Sequence, residues 1–271
     1  MICFSFDLKG KVALITGGAQ GLGFGIGSEL LSNGVRGVTL VDINADKGKQ
    51  AAKTLNEKFG RGKSIFVPAD VSNSSQFETA FKVSIRHWGG LDVVINNAGI
   101  VNEIEWQWMV NVNVVGTLQG VFLGVKYMSA ANLGRGGVII NIATVDAIDS
   151  LYVLPIYSST KSFILDVSRA LGHHVYYDHS KIKMITVSPG ATNTSMFNWD
   201  NFSQGLSNTF YPNLKKFKNV LLEIVSDVAR DIVNILKRGN SGSVWVVEDG
   251  SCYVVEFPDR KCMRKNRYVK C

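Results

Sequence analysis

In the stretch VLPIYSSTKSFIL, residues 153–165, a phenol and an ammonium stand four positions apart. At that interval on a helix the side chains of Tyr157 and Lys161 share one face, one above the other, which sets a cation against a phenol. Ser158, Ser159 and Thr160 between them are mediocre helix formers, whereas Phe163, Ile164 and Leu165 open an apolar stripe. The stretch is expected to be the entry of a helix packed on one side, with Tyr157 near its start. The same spacing also suits two amphipathic boundary residues, so the remainder of the chain has to decide.

A second group lies near the start, in TGGAQGLGFGIG, Thr16 to Gly27. Gly17, Gly21 and Gly23 follow a β-branched run and precede a helical one. Glycines there permit positive φ and let backbone N–H groups approach a pyrophosphate at the positive end of a helix. The spacing is GxxxGxG rather than the common GxGxxG. Gln20 and Leu22 belong to the same turn. Asp42, 19 residues after Gly23, closes GVTLVD; a carboxylate at a strand tip can accept both ribose hydroxyls of an adenosine and repels a 2′-phosphate. No Arg or Lys occurs in Gly18–Gln20 to attract one, so NAD is expected over NADP. A cap for the following helix is a compatible second role for Asp42. PADV sets Asp70, followed by Val71, where an adenine amino group could bind, and INNAGI places Asn97, Ala98 and Gly99 in a tight turn that admits a ribose.

These residues need elements to position them. Seven apolar, β-branched runs recur: KVALIT, GVTLVD, KSIFVPAD, LDVVIN, GVIINIAT, IKMITVSP and SVWVVED. Helical periodicity fills 25–31, 45–58, 76–88, 110–131 and 162–176 between them. Strands apolar on both faces and alternating with helices predict an α/β fold, a single-domain doubly wound (Rossmann) parallel sheet of about seven strands with helices on both faces. Residues 1–259 are expected to form this one domain, with 195–219 a substrate lid and 260–271 a basic tail. Ligands in such a sheet bind beyond the carboxyl ends of strands, where the residues above fall.

The net charge of +7 does not mark a nucleic-acid binder. Six of the 29 basic residues lie in RKCMRKNRYVKC, 260–271, which has no acid, leaving 23 against 22 acidic residues elsewhere. Cys3, Cys252, Cys262 and Cys271 show no metal-ligand spacing, and the adjacent His173 and His174 point to different helix faces, so reduced thiols and no metal are expected. Without a run of about eighteen apolar residues no membrane span is expected, and without a signal-peptide pattern a cytoplasmic location is the default.

Taken in order, TGxxxGxG, NNAG, an Asn in the next helix, YxxxK and SPG resemble the classical short-chain dehydrogenases/reductases over about residues 8–250. The link NNAGIVNEIEWQWMVNVNVVG and the ending SGSVWVVEDGSCYVVEF are most similar to the insect-type alcohol dehydrogenases and 15-hydroxyprostaglandin dehydrogenases within that family. The resemblance implies that Tyr157 is the acid/base that takes an alcohol's proton as hydride leaves for nicotinamide. A phenol near pKa 10 must then be lowered by about three units, and Lys161 is implied to do this while holding the nicotinamide ribose. Asn113 is implied to hold a proton-relaying water, with Asn111 the competing candidate. Thr144 stands where the family has serine; its hydroxyl can donate to the substrate oxygen, but its methyl crowds the site.

After the sixth strand Pro189 and Gly190 supply a turn, and Thr192 and Thr194 are available to the cofactor. Leu154, with Leu151 and Val153, adds an apolar wall near Tyr157, and Met196 and Phe197 begin an aromatic-rich stretch that could cover the site. The expectation is an NAD-dependent alcohol dehydrogenase acting on an apolar alcohol or its carbonyl product and working as a homodimer. The alternative is a catalytically weak relative that binds a ligand or protein, on account of Thr144.

Overall fold

Strand β1, Val12–Thr16, is buried at every position, as a strand covered on both faces must be. The same apolar logic builds β2 (Gly37–Asp42), β3 (Ser64–Pro68), β4 (Val93–Asn96), β5 (Gly137–Ile142), β6 (Ile182–Pro189) and β7 (Val244–Glu248). The structure is a computed structural model and describes residues 5–197, 205–206, 221–259 and 261–262. These seven strands run parallel, and an eighth, β8 (Ser251–Val254), pairs antiparallel with β7, giving the order β3-β2-β1-β4-β5-β6-β7-β8. The expected seven thus become eight. Asp249 (φ 50°) and Gly250 (φ 66°) turn the chain between β7 and β8, and consecutive positive φ values in an Asp-Gly pair make the tight hairpin that the sequence VVEDGSCYV contained.

The helices are α1 (Gly21–Ser32), α2 (Ala45–Phe59), α3 (Ser74–Trp88), α4 (Trp106–Val110), α5 (Thr117–Met128), α6 (Pro155–Leu171), α7 (His174–Ser180) and α8 (Val225–Arg238). Helices α1, α2 and α8 bury Ile26, Leu30, Leu55 and Ile232 against one face of the sheet. Phe77 and Phe81 of α3 and Val121 and Met128 of α5 pack the other face. The predicted helix over 162–176 begins earlier, because Pro155 suits a first helical position, and breaks after Leu171, where α7 starts afresh. The predicted helix over 110–131 is continuous from Trp106 to Met128, but Asn111–Gly116 within it is wound as a π-helix. That stretch is apolar and 23 residues long; with Met109, Val121 and Met128 fully buried in the domain, it reads as a core helix.

β1 pairs with β2 on one side and β4 on the other, so the sheet reverses its winding between β1 and β4. A crevice opens there at the carboxyl ends of the strands. The part of the expected lid at 198–204 and 207–219, with Trp199, Phe202, Phe210, Tyr211 and Phe217, and most of the tail lie outside the described residues.

Candidate active site

The crevice holds a cavity of about 310 Å³. At one end is the turn from β1 into α1. Gly17 (φ 63°) and Gly21 (φ 53°) need the conformational freedom of glycine. Gly23 is required for closeness instead: a Cβ there would lie 2.2 Å from the Gly17 carbonyl oxygen. At the head of α1, Gln20 provides no side-chain cap and the first turn carries no acid. Its N–H groups suit the phosphates of a dinucleotide, in number and in sign.

Asp42 closes β2 beside this turn. Its carboxylate accepts from the Ala19 N–H at 3.1 Å and the Asn44 N–H at 2.9 Å, so it pins the glycine turn to the strand tip. Asn44, not Asp42, caps α2. Asp70 accepts from the N–H and hydroxyl of Ser72 at 2.8 and 2.7 Å, and lines the cavity with Val71.

The other end is built on β4, β5 and α6. The Thr16 hydroxyl oxygen accepts from the N–H groups of Asn97 (2.9 Å) and Ala98 (3.0 Å), while the Asn97 amide donates to the Thr16 carbonyl at 2.9 Å. The NNAG turn is thereby tied to β1. Gly99 follows at a crowded point, where a Cβ would lie 3.2 Å from Lys161 Nζ and 3.3 Å from Asn113 Oδ1. Asn113 is fully buried and its amide clasps the Ile100 backbone, accepting from its N–H at 2.9 Å and donating to its carbonyl at 3.0 Å. It sits on the π-helical turn; Asn111 on the same turn is exposed. Of the two asparagines, Asn113 is the one turned inward, behind Gly99 of the cavity wall. A local change of helical pitch at a functional side chain is a recurrent use of this turn.

Lys161 and Tyr157 are both buried on α6, and Lys161 Nζ donates to the Ile142 carbonyl at 3.0 Å. Thr144 stands at the end of β5 and its hydroxyl donates to Asp146 Oδ2 at 3.3 Å. Burial pushes Lys161 down to about 8. It pushes the Tyr157 phenol up, and the Asp146 carboxylate adds to the rise. Lys161 Nζ is 5.8 Å from the ring centroid and turned to the Ile142 carbonyl, so burial first and Asp146 second govern the phenol here, and the lowering expected from Lys161 is not seen.

Gln20, Leu22, Thr144, Pro189, Gly190, Thr192, Thr194 and Met196 all line the cavity. The Thr192 hydroxyl is turned to the Gly190 carbonyl at 2.9 Å and steadies that turn. Leu154 is placed differently. It packs with Met109, Val153, Tyr157 and Leu206 behind the phenol and is not part of the cavity lining. Phe197 ends the short turn Ser195–Phe197, and its side chain lies outside the described residues. Sequence reasoning passed over Ile43 and Trp108, which line the cavity, and Asp146 and Glu103, which touch its chemistry. Ile43 follows a strand tip and was open to inference; the other three arrive from the chain's path in space.

Residues 11–203 match the family model described as short chain dehydrogenase. The chain is 35% identical over 189 residues to a 15-hydroxyprostaglandin dehydrogenase, NAD(+), of Macaca fascicularis, covering 70% of this chain and 71% of that one. It is 30% identical over 192 residues to alcohol dehydrogenase 1 of Ceratitis cosyra, covering 71% and 74%. Among solved structures, levodione reductase superposes with a TM-score of 0.76 at 22% identity, over 89% of this chain and 97% of the other. A 3-ketoacyl-(acyl-carrier-protein) reductase from Brucella melitensis, complexed with NADH, gives 0.73 at 24% identity over the same shares. These two likenesses are of fold.

Proposed function

The chain belongs to the short-chain dehydrogenases, and from that premise we propose that it is an NAD-dependent oxidoreductase interconverting an apolar alcohol and its aldehyde or ketone by hydride transfer. The observation that carries the reading is that Tyr157, Lys161 and Thr144 line one end of a cleft, with Asn113 buried just behind Gly99 there, while the other end is a glycine turn fit for phosphates. The Asp42 carboxylate favours NAD over NADP, in keeping with the name of the prostaglandin dehydrogenase relative.

Tyr157 is the acid/base. Its phenolic oxygen takes the alcohol proton during oxidation and returns it during reduction. Lys161 holds positive charge beside it and offers hydrogen bonds to a ribose. Asn113 fixes the Ile100 backbone, and a free lone pair of its Oδ1, close to Lys161, can hold a water that passes the proton on. Thr144 donates to the substrate oxygen once its hydroxyl turns from Asp146. When bound, NAD supplies the carbon that receives the hydride and a positive charge that favours release of the Tyr157 proton.

Ile100, Trp108 and Met196 give the cleft an apolar wall, which favours an aliphatic or terpenoid alcohol over an acidic lipid. Residues 195–219 are proposed to cover the substrate and 260–271 to be a solvated basic tail. The enzyme is proposed to act as a homodimer in the cytoplasm, where Cys252 and Cys262 would remain free thiols. The test is NADH absorbance on mixing the protein with NAD or NADP and a panel of alcohols. Turnover of aliphatic alcohols with NAD is expected, with Tyr157→Phe slower by roughly a hundredfold or more. Full activity of Tyr157→Phe, or turnover confined to acidic lipid alcohols, overturns the reading.

A further inference from the structure

Helix α6 has no cap of its own. Its N-cap position is Leu154, which offers no side-chain acceptor, and Pro155 at the first helical position has no N–H. The first two N–H groups of the helix therefore belong to Ile156 and to Tyr157 itself. Both would be orphaned inside the protein, beside the apolar cluster of Met109, Val153, Leu154 and Leu206. They are met by one side chain. Glu103, 54 residues upstream and 8% exposed, accepts from the Tyr157 N–H through Oε1 at 2.8 Å and from the Ile156 N–H through Oε2 at 3.2 Å.

Glu103 is held through its own backbone as well. Its backbone N–H donates to the Gly205 carbonyl at 2.8 Å, and the side chain of the preceding Asn102 accepts from the N–H groups of Ile104 and Glu105 at 3.1 and 2.8 Å. The same loop runs back to Ile100, whose backbone Asn113 clasps. One hydrogen-bonded segment therefore connects the NNAG turn, Asn113 and the start of the helix that carries Tyr157 and Lys161. A two-oxygen acceptor on the first free N–H groups, at the positive end of α6, fixes the height and rotation of that first turn.

We propose that Glu103 is a positioning residue for the reaction: it caps the catalytic helix from a distant loop and sets Tyr157 in register with Asn113 and Thr144. The inference rests on the proposed oxidoreductase reading only for its kinetic arm. Glu103→Ala removes both acceptors, Glu103→Gln retains one, and Glu103→Asp keeps both on a shorter stem.

The experiment measures three quantities on the full chain: peptide-resolved hydrogen exchange well below the melting temperature, NAD affinity by fluorescence titration, and kcat per folded molecule. In Glu103→Ala, exchange in a peptide spanning 156–160 is expected to speed by about fivefold or more, as for loss of a good cap, with strands β4 to β6 unchanged. Because small misplacements of reacting groups are costly, kcat is expected to fall by roughly tenfold or more while NAD affinity stays within about twofold. Glu103→Asp should recover part of both effects. Unchanged exchange at α6, or a lowered melting temperature with kcat per folded molecule intact, overturns the proposal. If the native protein turns over no alcohol while exchange at α6 responds as stated, the enzymatic reading fails and the capping contact stands. A variant that fails to fold is replaced by Glu103→Gln, for which the same two contrary results are decisive.

Discussion

In the proposed reaction the hydroxyl of Thr144 has two claimants, the substrate oxygen and Asp146. In the structure it donates to Asp146 at 3.3 Å, a long bond that a better acceptor can displace. Asp146 also acts on Tyr157. A carboxylate near a phenol opposes the phenolate, so the phenol gives up its proton at higher pH, on top of the larger rise from burial. Burial raises Asp146 itself, with the Thr144 hydrogen bond working the other way. The sign for catalysis follows. If Tyr157 is the proposed acid/base, oxidation needs it able to accept a proton, so activity is expected to rise with pH, and removing the Asp146 charge is expected to move that rise toward lower pH. Asp146→Asn is expected to increase alcohol oxidation at pH 7 by about threefold or more, measured as the pH profile of kcat/KM. An unmoved profile would show that Asp146 has no hold on the phenol.

At the scale of elements, the site depends on close backbone approaches that leave no space for a side chain. The β1–α1 turn is the clearest. With Gly17 carbonyl oxygen 2.2 Å from where a Gly23 Cβ would stand, Gly23→Ala must push α1 away from the turn, and the freed N–H groups lose their aim at a phosphate. The expected outcome is a loss of roughly 1–3 kcal/mol in stability, read by denaturant titration, and at least tenfold weaker NAD binding by fluorescence titration. Stability and affinity equal to the native protein's would mean that the turn does not hold the cofactor. The π-helical turn works in the same spirit. It carries Asn113 inward while Gly116, on the same turn, packs so tightly that a Cβ would lie 2.6 Å from Val71 at the cavity wall.

For the whole molecule, the helices on one face of the sheet leave apolar residues outward. Phe122 of α5 is 59% exposed and Phe163 of α6 43%, and Val115 on the π-helical turn is 37% exposed. Repeating that face about a twofold axis buries it, which is how a homodimer would form. Sedimentation at micromolar concentration should give about twice 29.7 kDa, and Phe122→Glu should shift the population to monomer with the fold retained. A native protein that sediments as a monomer would remove the dimer from the proposal.

What the amino-acid order determined by itself was the part governed by local pattern. Continuous apolar runs could only be strands covered on both faces, which gave the parallel sheet. Three glycines between a strand and a helix, and a tyrosine four residues before a lysine, marked both ends of the cleft because their spacing acts within one turn. The Asp-Gly hairpin before β8 was equally local and equally visible, yet the apolar run around it read as a single strand. Only the tertiary structure decided the rest. Leu154 faces the core rather than the cavity, Glu103 finds the head of α6 across 54 residues, and the charge of Asp146 is felt at Tyr157. It also decided the charge balance at Tyr157, since desolvation depends on what surrounds a group from every side, and sequence spacing records only its neighbours along the chain.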